Sequence, residues 1–154
     1  INLRGEICYL SNEGTGRTAR LDAGPPQTLY LPGDKETLGR RALRFLQNEA
    51  RGDLSAAAER HAQTLNVEIG RISVKDTRSR WGSCTAKGDL SFSWRLIMAP
   101  AHVLDYVAAN ECAHRLEMNH SPKFWAHVER CGQDWRRSRN WLRTHGASLH
   151  SVSL

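Results

Sequence analysis

The segment 100–125 constrains the fold most, because it predicts two helices separated by a sharp corner. Pro100 is typical of a helix start, and apolar residues recur at helical spacing after it. Asn119 tolerates the left-handed backbone of a helix end, and Ser121-Pro122 favours a new helix. The chain is therefore expected to turn a corner between the two helices.

Polar residues on both sides of this corner have the spacing of a metal site. Asn110 and His114 lie about 40° apart on a helix, with Glu111 close to the same face. His120 would point roughly 240° away from His114 on an unbroken helix, but a corner lets it fold back. The spacing of four residues lets Asn110 and His114 hold one ion while Glu111 points toward a bound water molecule. A lone Glu-x-x-His is also common on helices that only pack, so both interpretations stay open at this point.

The remaining pattern is that of one domain with helices and strands. A chain of 154 residues is long enough for a single core. Residues 1–31 predict short strands and turns, and residues 34–66 predict a long support helix with Asp34 as cap and a kink or break at Gly52-Asp53. "RISVKD" and "GDLSFSWRL" alternate apolar and polar residues, which predicts an antiparallel hairpin around "TRSRWGSCTAKG".

Composition excludes several classes of protein. No apolar run approaches the ~20 residues that a membrane span requires. The first residues lack the pattern of a signal peptide. The four cysteines are scattered and form no C-x-x-C pair, which favours free thiols in a cytoplasmic protein over disulfides or a zinc knuckle.

The C-terminal region carries the densest positive charge of a chain whose net charge is +6. It combines four arginines with two tryptophans: Arg136, Arg137, Arg139, Arg143, Trp135 and Trp141. Such a helix can bind phosphates and stack on bases, as in a nucleic-acid-associated module. It can also pack its tryptophans inward while its arginines stay solvated. We favour the second interpretation.

Two long stretches resemble the YgjP-like family of zincin metallopeptidases, which is related to the SprT-like proteases. They are "VKDTRSRWGSCTAKGDLSFSWRLIMAP" and "LDYVAANECAHRLEMNHSPKFW". In that family a "SRWGSC" segment precedes a helix reading His-Glu-[LV]-[AC]-His, followed by "NHS..FW". The resemblance is strongest over residues 72–146 and continues more weakly toward the N-terminus. It implies that residues 1–154 form a single compact α+β zincin-like domain, with a small antiparallel sheet packed on a long support helix and an active-site helix.

The resemblance also implies a zinc ion. His114 and His120 match ligand positions, and Glu111 matches the general base. Asn110 stands where the first ligand histidine belongs. Its amide oxygen is a neutral donor, whereas zinc prefers imidazole, thiolate or carboxylate. Glu117, one turn beyond His114, could be a substitute ligand, although we favour a solvated or ion-paired role for it.

The expected function is that of a zinc-dependent metallopeptidase, weakened by Asn110, that hydrolyses a peptide or protein substrate. The alternatives are an inactive protein of the same fold and a nucleic-acid-associated binding module. The "SRWGSC" loop is expected to form one wall of the substrate cleft. Trp81 would be its floor, and Arg78 or Arg80 would hold a carboxylate or a helix end. A purely structural turn is the alternative.

Overall fold

The structure is a computed structural model that describes residues 1–154. The chain forms seven strands and four α-helices. The strands are β1 (Asn2–Leu3), β2 (Glu6–Ser11), β3 (Arg20–Asp22), β4 (Gln27–Tyr30), β5 (Ile72–Lys75), β6 (Gly82–Cys84) and β7 (Leu90–Ser93). The helices are α1 (Leu38–Leu65), α2 (Ala101–Ala113), α3 (Pro122–Arg130) and α4 (Trp135–Ser151). The predicted α+β class is confirmed.

The strands form two small sheets of mixed direction. Their orders are β1-β2-β4-β3 and β5-β7-β6. The predicted antiparallel pairing of 72–75 with 90–93 is wrong, because β5 and β7 run parallel with Ile72 opposite Leu90. The turn at residues 85–89 joins β6 to β7 in an antiparallel hairpin, closed by a 2.9 Å hydrogen bond from Thr85 N to Asp89 O. The hairpin uses one side of β7, so β5 pairs on the other side and β6 becomes an edge strand.

Helix α1 is the support helix that the sequence predicts, and it is not split at Gly52-Asp53. It begins after a 3-10 turn at Lys35–Thr37, and Asp34 makes no side-chain cap there. Gly52 lies within the continuous helix, which ends at Asn66 in the left-handed conformation with φ 55°. A glycine costs a helix about 1 kcal/mol relative to alanine. Burial of one face, from Ala42 to Leu65, outweighs that cost.

The corner between α2 and α3 forms between His114 and His120 as predicted, but α2 ends at Ala113 and Asn119 does not adopt the left-handed conformation. Helix α2 ends at Ala113, and α3 begins at Pro122, where the Ser121 hydroxyl accepts a hydrogen bond of 3.4 Å from Phe124 N. The helix ends before Leu116 and Met118, both of which are exposed. No core lies opposite these two apolar side chains, so no burial favours extending the helix through them.

Arg95 fixes the C-terminal end of α4 against the three-stranded sheet. It is 5% exposed and donates hydrogen bonds of 2.7 and 2.8 Å to the carbonyl oxygens of Leu149 and Val152. Its guanidinium also pairs with Asp76 at 2.8 Å. All four cysteines are free thiols, as predicted. No helix combines the length and the apolarity that crossing a membrane requires.

Candidate metal centre

The end of α2, the corner and the edge strand β6 enclose one pocket. Asn110 and Glu111 lie in the last turn of α2, His114 lies at its end, and His120 precedes α3. The pocket is lined by nine residues: Arg80, Gly82, Ser83, Cys84, Asn110, Glu111, His114, Met118 and His120. The structure therefore brings together Asn110, Glu111, His114 and His120.

The two histidines converge across the corner. Their ring centres are 5.0 Å apart and their planes make an angle of 75°. The buried ring of Phe124 lies against both, 4.6 Å from His114 and 4.7 Å from His120. Two imidazoles that bind one tetrahedral zinc ion through nitrogens at ~2.1 Å have ring centres roughly 5 Å apart. The observed separation is compatible with a shared ion.

A backbone hydrogen bond prepares His114 for metal binding. Its Nδ1 lies 3.0 Å from the carbonyl oxygen of Glu117. A carbonyl oxygen only accepts, so Nδ1 carries the proton and Nε2 keeps its lone pair. Burial lowers the pKa of His114, which favours the neutral ring. An imidazole with one nitrogen held and the other free is the usual state of a metal ligand.

Asn110 contributes an oxygen that lacks a partner. Its Oδ1 is buried and accepts no hydrogen bond. Leaving such an atom unsatisfied costs about 1–3 kcal/mol. No group of three or more histidine, cysteine, aspartate and glutamate side chains is placed to hold a metal ion. Glu117 does not line the pocket, and its backbone carbonyl lies 3.0 Å from His114 Nδ1. The donors that fit a cation are thus two imidazoles and one amide oxygen, a set acceptable to a divalent ion but poorer for zinc than three imidazoles.

Glu111 is a buried carboxyl group at the wall of the pocket. It is 7% exposed, and burial raises its pKa to about 7 although the charge of Arg80 opposes the shift. Gly82 of β6 lies directly against it, since a Cβ there would be 2.9 Å from Glu111 Oε2. The absence of a side chain at Gly82 is what allows β6 to lie beside the Glu111 carboxylate.

The structure separates the three residues predicted to line the cleft. Arg80 lines the pocket, but Trp81 stacks on His150 at 4.5 Å between ring centres. Arg78 also lies beside the end of α4, with its guanidinium near the carbonyl of His150. Trp81 and Arg78 do not line this pocket, and Arg78 takes the place at a helix end that the sequence predicts as its alternative role.

Two neighbours of the site were missed from the sequence. Gly82 makes room for Glu111, and the only local signal is a glycine directly after a tryptophan. Tyr106 is buried one helical turn before Asn110; burial raises its pKa, and the adjacent amide of Asn110 partly offsets this. Its spacing of four residues from Asn110 was a signal for that contact.

An α+β fold with two convergent histidines and a buried glutamate at a helix end is typical of a metallopeptidase. A family model described as "YgjP-like, metallopeptidase domain" matches residues 3–145, and the chain therefore belongs to this family. The crystal structure of the metallopeptidase zymogen of Pyrococcus abyssi abylysin is similar, with a TM-score of 0.53 and 15% identity. That match covers 66% of this chain and 99% of abylysin, and it supports the fold alone. No curated protein matches the chain.

Proposed function

We propose that the protein is a zinc-dependent peptidase whose metal affinity is weakened by Asn110. The observation that carries the proposal is the convergence of His114 and His120 beside the buried carboxyl group of Glu111. The unpartnered Oδ1 of Asn110 supplies the third donor. Membership of a metallopeptidase family supports a metal at this position.

Glu111 would act as the general base. Zinc held by Asn110, His114 and His120 would supply polarisation of the scissile carbonyl and of the attacking water. Glu111 would take a proton from that water and pass it to the departing amine. Arg80 lines the same pocket, and its positive charge favours the ionised carboxylate that accepts the proton.

The edge strand β6 supports a polypeptide substrate. β6 pairs with β7 on one side only, so its other edge carries free backbone donors and acceptors. An extended peptide can add to such an edge as a further strand. The peptide backbone would then lie next to Glu111, because Gly82 has no side chain that could stand between the peptide and the carboxylate.

The test is hydrolysis of a fluorescently labelled unstructured polypeptide with added zinc, with and without EDTA. We expect EDTA to remove the activity and Glu111→Gln to lower it by about 10²–10⁴-fold, since the amide cannot accept the proton. Asn110→His should raise the activity, and adding Glu111→Gln should remove that gain. The matched control is Glu117→Gln, because Glu117 does not line the pocket and its backbone carbonyl, which Gln keeps, is what contacts His114. Equal rates for the wild type and Glu111→Gln would refute the mechanism.

A further inference from the structure

The outer face of α4 carries a row of unpaired positive charges. This arginine face consists of Trp135, Arg136, Arg139, Asn140 and Arg143, which follow one another at helical spacing and line one shallow depression. The three arginines are exposed, and none takes part in an ion pair. Three charges of one sign on a single face give a local positive potential that attracts anions.

Stacked rings connect the arginine face to the candidate metal centre. The rings of His120 and Trp125 are stacked with 5.8 Å between their centres. Trp125 stacks on Trp135 with 4.0 Å between centres. Arg139 lies 5.8 Å from the ring centre of Trp125. A chain that leaves the pocket past His120 therefore reaches the arginines directly.

The arrangement of these rings favours carboxylates over nucleic-acid bases. Bases bind to ring faces that are free. Trp135 has Trp125 stacked at 4.0 Å and Arg136 packed 4.2 Å from its centre, so both partners already cover its ring. The guanidinium groups themselves remain exposed, and their planar forks match carboxylates.

Two nearby carboxylates form no ion pair with the arginine face. Glu129 accepts a 3.0 Å hydrogen bond from the indole nitrogen of Trp135. Asp134 caps α4 and accepts from Arg137 N. Each carboxylate is engaged by a donor other than the three arginines.

We propose that the arginine face binds an acidic segment of the polypeptide that enters the candidate metal centre. The substrate class is then a polypeptide with clustered Asp or Glu residues on one side of the bond that is cut. This inference rests on the proposed function, since it assumes that a polypeptide enters the pocket. It adds a recognition surface outside the pocket and a preference for substrates whose sequence contains clustered Asp or Glu residues.

The test is fluorescence anisotropy with two labelled peptides that differ only in carrying Glu or Gln at clustered positions. EDTA is present, so binding is measured without hydrolysis. The triple variant Arg136→Gln/Arg139→Gln/Arg143→Gln is compared with a matched control, Arg40→Gln/Arg44→Gln/Arg51→Gln. The control removes the same charge from exposed positions of α1. Thermal unfolding verifies that both triple variants are folded.

We expect the wild type and the control to bind the Glu peptide with similar affinity, and the arginine-face variant to bind it at least about tenfold more weakly at low salt. Equal binding of the Glu and Gln peptides, or equal losses in the two triple variants, would overturn the proposal. Tighter binding of a short oligothymidylate than of the Glu peptide would assign the surface to nucleic acid instead.

Failure of the proposed function gives a different result. If no polypeptide is hydrolysed but the arginine-face variant binds the Glu peptide more weakly than the wild type does, the proposed acid-binding surface is correct and the proposed peptidase function is refuted. If both peptides are hydrolysed with equal KM, the peptidase is correct and the acidic preference is refuted.

Discussion

Gly82→Ala should displace the proposed base with only a moderate loss of stability. The added methyl group would lie 2.9 Å from Glu111 Oε2, 3.0 Å from Glu111 Cγ and 3.1 Å from Val107 Cγ1. The carboxylate is the far end of a flexible side chain and can swing away, but Val107 is packed in the core. Overpacking of this kind costs about 1–3 kcal/mol, or roughly 2–12 °C in Tm for a chain of this size. A base displaced by about 1 Å can cost 10²-fold in rate.

Gly52→Ala is the matched control, because it makes the same substitution in open space. A Cβ at Gly52 meets no atom within 4 Å, and the residue lies inside α1. Alanine should therefore stabilise the helix by about 0.5–1 kcal/mol. Thermal unfolding and hydrolysis of the labelled polypeptide are measured for both variants. Shifts of Tm in the same direction, or full activity of Gly82→Ala, would refute the close approach of β6 to Glu111.

Two further variants test the packing around the site. Burial raises the pKa of Asp105, but hydrogen bonds from His61 at 2.9 Å and Gln133 at 2.6 Å outweigh it and hold the pKa below its usual range. The stabilisation by the ionised Asp105 carboxylate is therefore present above about pH 4 and is lost as the pH falls through the folded-state pKa. The Tm of Asp105→Asn should lie below that of the wild type at neutral pH and approach it in acid. Equal differences at both pH values would contradict this. Trp81→Phe should lower the free energy of unfolding by roughly 1–2 kcal/mol and leave KM unchanged, because Trp81 packs over Gly146 away from the pocket. A raised KM would contradict this and indicate that Trp81 contacts the substrate.

The part of the site that the sequence predicts is the part set by local signals. The corner depends on Ser121-Pro122 and on a helix end before it, which are properties of a few adjacent residues. Helix spacing places Asn110, Glu111 and His114 together for the same reason. The corner and the helix spacing depend only on neighbouring residues and not on how distant parts of the chain pack.

The errors concern contacts between distant residues. Alternation in 72–75 and 90–93 is the same for parallel and antiparallel pairing, so it does not reveal that β6 forms the hairpin with β7 and that β5 pairs in parallel on the other side. The orientation of Trp81 depends on Gly146 and His150, far along the chain. α1 continues through Gly52 because its packed face outweighs a weak local preference.

Calorimetric titration with zinc tests most directly whether Asn110 stands at a ligand position. The wild type is compared with Asn110→His, and His120→Ala serves as the variant that removes another donor of the proposed set. We expect Asn110→His to bind zinc at least about tenfold more tightly than the wild type, because imidazole suits zinc better than an amide oxygen. His120→Ala should bind more weakly than the wild type. Equal zinc affinity of the wild type and Asn110→His would contradict the account, since Asn110 would then lie outside the ligand set.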